Sequence, residues 1–139
     1  MLPPVSRVPD WEDALFQYLA PHNDKEFIWG RRDCMLFPAG AVCAITGFDL
    51  VSQHAGKYKT HLTAFRYLKR IGFDDANAFW NNYFEPAAPA DARRGDLVMS
   101  AGFTGVCIGS EAVFVGEENG KTGLVRAAMA DWDSAWKIG

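Results

Sequence analysis

The sequence predicts an α+β domain whose first half is helical and whose second half is a small antiparallel sheet. Three observations lead there. Apolar residues recur at helical spacing up to residue 83. The segment Pro86-Ala87-Ala88-Pro89-Ala90 then breaks the pattern. Beyond it lie short runs of Val, Ile, Phe and Ala punctuated by glycine, with Glu118-Asn119-Gly120-Lys121 as a hairpin signal.

The elements follow in order. Residues 1–9 carry three prolines and are expected as an extended N-terminal arm. Asp10 is expected to cap a first helix, with Trp11, Ala14, Leu15, Tyr18 and Leu19 on one face and Pro21 as its end. A second helix is expected over about 34–46, capped by Asp33 and stopped by Gly47. It is apolar on nearly every side and so reads as the central buried helix. Pro38 is the residue expected to kink or delay it. Thr60 is placed to cap a third helix, with Leu62, Phe65, Leu68 and Ile71 as its buried stripe and Gly72 as its stop. A fourth begins near Asp74 or Asp75 and carries Ala76, Phe79, Trp80 and Tyr83.

Strands are expected at 96–100, 105–109, 112–115 and 123–127. Residues 132–138 are expected to form a short turn and then a last edge strand. The whole chain, 1–139, is thus expected as one domain with a helical half at 10–85 and a β-rich half at 94–139.

Composition narrows the function classes. Apolar residues make up 49% and charged residues 22%, which supports a folded core rather than disorder. The net charge of -3, with both signs scattered, lacks the basic footprint of a nucleic-acid binder. The N-terminus has no charged region followed by an apolar run, so no secretory signal is expected, and no stretch is long and apolar enough for a membrane span. The chain is therefore expected to be made in a cytoplasm. The cysteines Cys34, Cys43 and Cys107 are odd in number. They form no CxxC pair and share no zinc-ligand spacing with His22, His54 and His61, so neither a disulfide framework nor a metal or other cofactor is expected.

One segment suggests chemistry: Phe27-Ile28-Trp29-Gly30-Arg31-Arg32-Asp33-Cys34. A cysteine at a helix start faces unpaired amides and the positive end of the helix dipole, which favour the thiolate that a nucleophile needs. The plain structural reading of Cys34 is a small core residue.

The order of motifs resembles the NlpC/P60 family of papain-like cysteine peptidases and amidases. Trp29-Gly30 and Asp33-Cys34 match its nucleophile segment, and Arg94-Gly95-Asp96-Leu97-Val98 matches its first strand. The resemblance implies Cys34 as nucleophile and a histidine base on the next strand. With Gly105 aligned to the family glycine, the base position is Phe103, which accepts no proton, and no histidine follows Asp96. A helix or loop histidine, His54 or His61, is the remaining route to a base.

Over roughly residues 10–139 the chain more closely resembles the DUF6950 family of short tailed-phage and prophage proteins, similar to NlpC/P60 in layout. Tyr58-Lys59-Thr60, Gly105-Val106-Cys107-Ile108-Gly109 and the closing Trp136-Lys137-Ile138-Gly139 carry that likeness. It implies a non-catalytic structural or assembly component of a phage tail tip. The expected place is the virion tail, beside the hub and central fibre proteins. The alternative it leaves open is a peptidoglycan-cleaving cysteine endopeptidase or amidase that uses Cys34. For docking to neighbours the aromatics Trp11, Tyr58, Trp80, Tyr83, Trp132 and Trp136 are the candidates, each weighed against an ordinary core role.

Overall fold

A computed structural model describes residues 5–139. Of the expected N-terminal arm, residues 1–4 lie outside the described residues. The rest of the arm is tied down: the Val8 amide donates to Ile45 O at 2.8 Å.

The helices are α1 (Trp11–Leu19), α2 (Leu36–Thr46), α3 (Val51–His54), α4 (His61–Arg70) and α5 (Ala76–Tyr83). The strands are β1 (Glu85–Ala87), β2 (Leu97–Ser100), β3 (Phe103–Cys107), β4 (Glu111–Glu118), β5 (Lys121–Ala128) and β6 (Ser134–Lys137). They form one antiparallel sheet in the order β1-β6-β2-β3-β4-β5. The α+β expectation holds.

α2 is the central helix, and eight of its eleven residues are buried. It begins at Leu36, later than expected. Asp33 still caps it, because Oδ1 accepts the amides of Met35 (2.9 Å) and Leu36 (2.8 Å). The later start also removes the difficulty of Pro38. That residue is third in the helix, inside the first turn, where no amide has an intrahelical partner to lose. Gly47 ends the helix in the left-handed region at φ 81°, as expected.

The other helix expectations need adjustment. Asp10 precedes α1, but its side chain caps nothing; the Trp11 amide donates to Val8 O instead. Pro21 does not stop the chain at once. It sits in a 3-10 turn, Ala20–His22, where a missing amide costs little. Thr60 caps α4 in a reciprocal box with Thr63, but the buried face is Ala64, Tyr67 and Leu68. Leu62 and Phe65 from the expected stripe stand 56% and 48% exposed. Asp75 caps α5 by accepting the Ala78 amide at 2.8 Å.

Two strand expectations are corrected. β3 starts at Phe103 because Ala101 (φ 50°) and Gly102 (φ 86°) make a two-residue reversal that pairs Ser100 with Phe103. An alanine in the left-handed region is disfavoured, and the Ala101 amide is held by Asp133 Oδ2 at 3.0 Å. The final strand β6 is not an edge. It lies between β2 and β1, and β1 forms from the segment expected to be only a break. Pro86 fits there because an outermost strand can spare an amide. The Asn119-Gly120 reversal of the β4–β5 hairpin has both residues at positive φ, as its sequence requires.

Strand alternation splits the core. Leu97, Met99, Val106, Val113 and Val115 face the helices and pack with Phe37, Ile45, Phe79, Trp80 and Trp136. Val98, Cys107, Ala112 and Phe114 face the other way, under Trp132.

Candidate functional site

The Trp29-to-Cys34 segment is a tight reversal built on Gly30 and Asp33. Gly30 has φ 82°, and a Cβ there would lie 2.1 Å from Tyr58 O. Only glycine fits both the turn and the approach. The Asp33 carboxylate is fully buried. Beside the two α2 amides it accepts the Gly30 amide on Oδ2 at 2.8 Å. Tyr58 packs over it, and burial first, then the Asp33 carboxylate, hold the Tyr58 hydroxyl far above the usual tyrosine range.

Cys34 is half-buried. Its surroundings disfavour the thiolate: burial first, then the negative charge of Asp33, push the thiol up to about 12. Backbone groups at Cys34 and Thr104 counter this only in part. The physical reason is local. Cys34 stands before the helix rather than in it, and the first amides of α2 are already taken by Asp33. The positive helix end is thus neutralised before it reaches the sulfur. Of the neighbouring arginines, Arg32 turns away and donates to Glu26 O at 2.8 Å, while Arg31 is exposed.

Cys34 opens onto a cavity of about 460 Å³ between α4 and the β2–β3 turn. Trp29, Tyr58, His61, Phe65 and Phe103 contribute to its wall, with Asp75 near the rim. The Trp29 and His61 rings stack at 5.4 Å. Phe103 stands 47% exposed at the start of β3. The next residue, Thr104, is buried on the helix side, where its hydroxyl accepts the Trp80 indole N–H at 3.0 Å.

The three histidines divide. His22 Nδ1 meets Tyr18 O at 2.8 Å, and burial lowers its affinity for a proton. His54, expected in a loop, is buried in α3 and meets the Tyr67 hydroxyl at 2.6 Å. Only His61 shares the Cys34 cavity. Among the described residues, no hydrogen bond joins Cys34 Sγ to an imidazole.

The remaining motif residues gather elsewhere. Asp96, 1% exposed, accepts Arg7 Nη2 and the Ile138 amide on Oδ1, and Lys137 Nζ and the Arg93 amide on Oδ2, each at 2.9 Å. Gly95 leaves room for the Arg7 guanidinium, 2.9 Å from where its Cβ would stand. Trp136 is buried and donates to Asn81 Oδ1 at 2.8 Å. Gly105 has no space for a side chain, since a Cβ would lie 2.5 Å from the Phe114 ring. So Trp29, Asp33, Cys34 and Phe103 share one cavity, whereas Gly95, Asp96 and Trp136 serve the joint between β2 and β6.

Sequence reasoning missed Phe65 and Asp75 as cavity residues. Their signal was available: Phe65 falls on the apolar stripe yet off the buried face, and Asp75 is the cap of α5. Arg7 gave no signal, because its partner lies 89 positions away.

Of the aromatics considered for docking, Tyr58, Trp80, Trp132 and Trp136 are buried and Trp11 and Tyr83 half-buried. Among the described residues, the exposed large apolar ones are Phe16, Leu62, Phe65, Phe103 and Met129. Among the described residues no cluster of His, Cys, Asp or Glu could hold a metal ion, and no helix is long and apolar enough to cross a membrane.

The family model described as "Domain of unknown function (DUF6950)" matches residues 6–138. The chain belongs to that family. No curated protein matches it.

Proposed function

We propose that this DUF6950 protein is a non-catalytic assembly component of a phage tail tip, built on the scaffold of a papain-like cysteine hydrolase. The phage setting and the scaffold rest on the motif order set out above. The absence of catalysis rests on one observation: the strand position expected for the base holds Phe103, and among the described residues no imidazole is hydrogen-bonded to Cys34 Sγ. The thiol itself is half-buried, beside a buried carboxylate, with its proton held up to about 12. Burial and the Asp33 charge both disfavour the thiolate. A nucleophile needs the opposite shift.

A second reading has one observation in its favour. His61 lines the same cavity as Cys34 and could serve as base in a peptidoglycan-cleaving enzyme.

Two measurements separate the readings. Iodoacetamide labelling of Cys34 at pH 8 is expected to be at least about a hundredfold slower than labelling of glutathione. Phage carrying Cys34→Ala are expected to plate as efficiently as wild type, and the purified protein to release no peptides from peptidoglycan sacculi. Peptide release that disappears in both Cys34→Ala and His61→Ala would overturn the non-catalytic reading.

A further inference from the structure

The Cys34 cavity does not end at Phe103. A second hollow, about 360 Å³, lies on the other side of Trp29 and Phe103 and extends over Val115, Gly116 and Glu117. A third, about 280 Å³, shares Phe103, Val115, Gly116 and Glu117 with the second and runs onto the helix-free face of the sheet. Phe103 lines all three hollows, which are arranged in series around its side chain and are together called the trough. Its lining is largely apolar and aromatic, and Phe103 and Phe65 stand half exposed to solvent along it.

The charges are one-sided. Every Asp, Glu, Lys or Arg that lines the trough is acidic: Glu26, Asp33, Asp75 and Glu117. Asp33 is buried with its oxygens engaged, but Glu26, Asp75 and Glu117 are exposed along the length of the trough. An apolar floor between exposed acids fits a chain that alternates apolar and cationic side chains. An extended segment does this by its geometry, since successive side chains point to opposite sides. Aromatic rings along the path add attraction for a lysine or arginine head.

We infer that the trough is a docking groove for an extended, lysine- or arginine-bearing apolar segment of a partner polypeptide. This deepens the assembly reading above and rests on it for the kind of partner. In this arrangement Phe103 is a contact residue that an incoming segment covers. The acids steer and orient the segment.

The test uses the full chain and short fluorescent peptides. One alternates Leu and Lys; the controls alternate Leu and Glu, or Ser and Lys. Fluorescence anisotropy is expected to show the Leu-Lys peptide binding at least about tenfold more tightly than either control. The pair Glu26→Lys with Glu117→Lys is expected to weaken it by about tenfold or more, while Asp13→Lys with Asp91→Lys, an equal charge change at residues that line none of the three hollows, leaves it within about twofold. Phe103→Asp is expected to abolish binding, with an unchanged circular dichroism spectrum as its folding control.

Equal affinity for Leu-Lys and Leu-Glu peptides would overturn the inference. So would indifference to the Glu26/Glu117 reversal, or selective binding of soluble cell-wall muropeptides instead. Peptidoglycan hydrolysis is assayed on the same proteins. Hydrolysis with intact Leu-Lys selectivity defeats the non-catalytic reading alone, and lost selectivity without hydrolysis defeats the groove alone.

Discussion

Arg7 Nη2 and Asp96 Oδ1 lie 2.9 Å apart, although 89 positions separate them in the chain. The same guanidinium donates from Nε to Ile138 O and from Nη1 to Arg94 O, both at 2.7 Å. Its face also lies 4.2 Å from the centre of the Trp11 ring. One arginine thus ties the N-terminal arm to the turn just before β2 and to the residue just after β6. Asp96 completes the joint by also holding Lys137 and the Ile138 amide.

Asp96→Ala is expected to destabilise the protein by about 3–5 kcal/mol, because it strands two cations and two amides around a buried site. Urea denaturation measures this. A double-mutant cycle with Arg7→Ala is expected to show a coupling of about 1 kcal/mol or more. Additive losses would mean the two side chains act independently.

His54 makes the fold sensitive to acid. Burial first, then the charge of Lys57, lowers its pKa from 6.5, and its buried Nε2 has no hydrogen-bond partner among the described residues. The unfolded chain therefore takes up the proton more readily than the folded one. Stability is complete above 6.5 and is lost as pH falls below it toward the folded value. Thermal melts between pH 7 and pH 5 are expected to fall less steeply in His54→Phe than in wild type. His22, shifted in the same direction, leaves a residual slope. At neutral pH the variant should lose about 1 kcal/mol, from the stranded Tyr67 hydroxyl. An unchanged acid slope would remove His54 as its source.

Gly30→Ala should cost more than about 2 kcal/mol. The residue has φ 82°, and a methyl group would stand 2.1 Å from Tyr58 O. Gly47→Ala, at φ 81° but with open space around it, gives the conformational cost alone, about 1 kcal/mol. The difference in urea midpoint between the two variants reads the clash. Equal losses would show that the Tyr58 segment yields freely.

Several motif residues now have a structural explanation. The Gly95-Asp96 pair and the closing Trp136-Lys137-Ile138 look like separate sequence markers, yet they are two sides of one joint. Trp29-Gly30 and Asp33-Cys34 were readable as a unit because they are adjacent in the chain. What their spacing could not reveal was the direction of the Cys34 shift. That depends on where Asp33 points and which amides it has already taken.

The sequence by itself determined the order of helices before strands, the central place of α2, the caps at Asp33 and Thr60, the start of α5 near Asp74 or Asp75, and the Asn119-Gly120 hairpin. These follow from local spacing and backbone preference, which act within a few residues. Tertiary structure alone decided that β6 lies inside the sheet, that His54 is buried and that the Cys34 proton is held. It also decided that three hollows share Phe103 as a wall. Each of these is set by neighbours brought from distant positions, through burial, charge and exclusion of water, and no local pattern carries them.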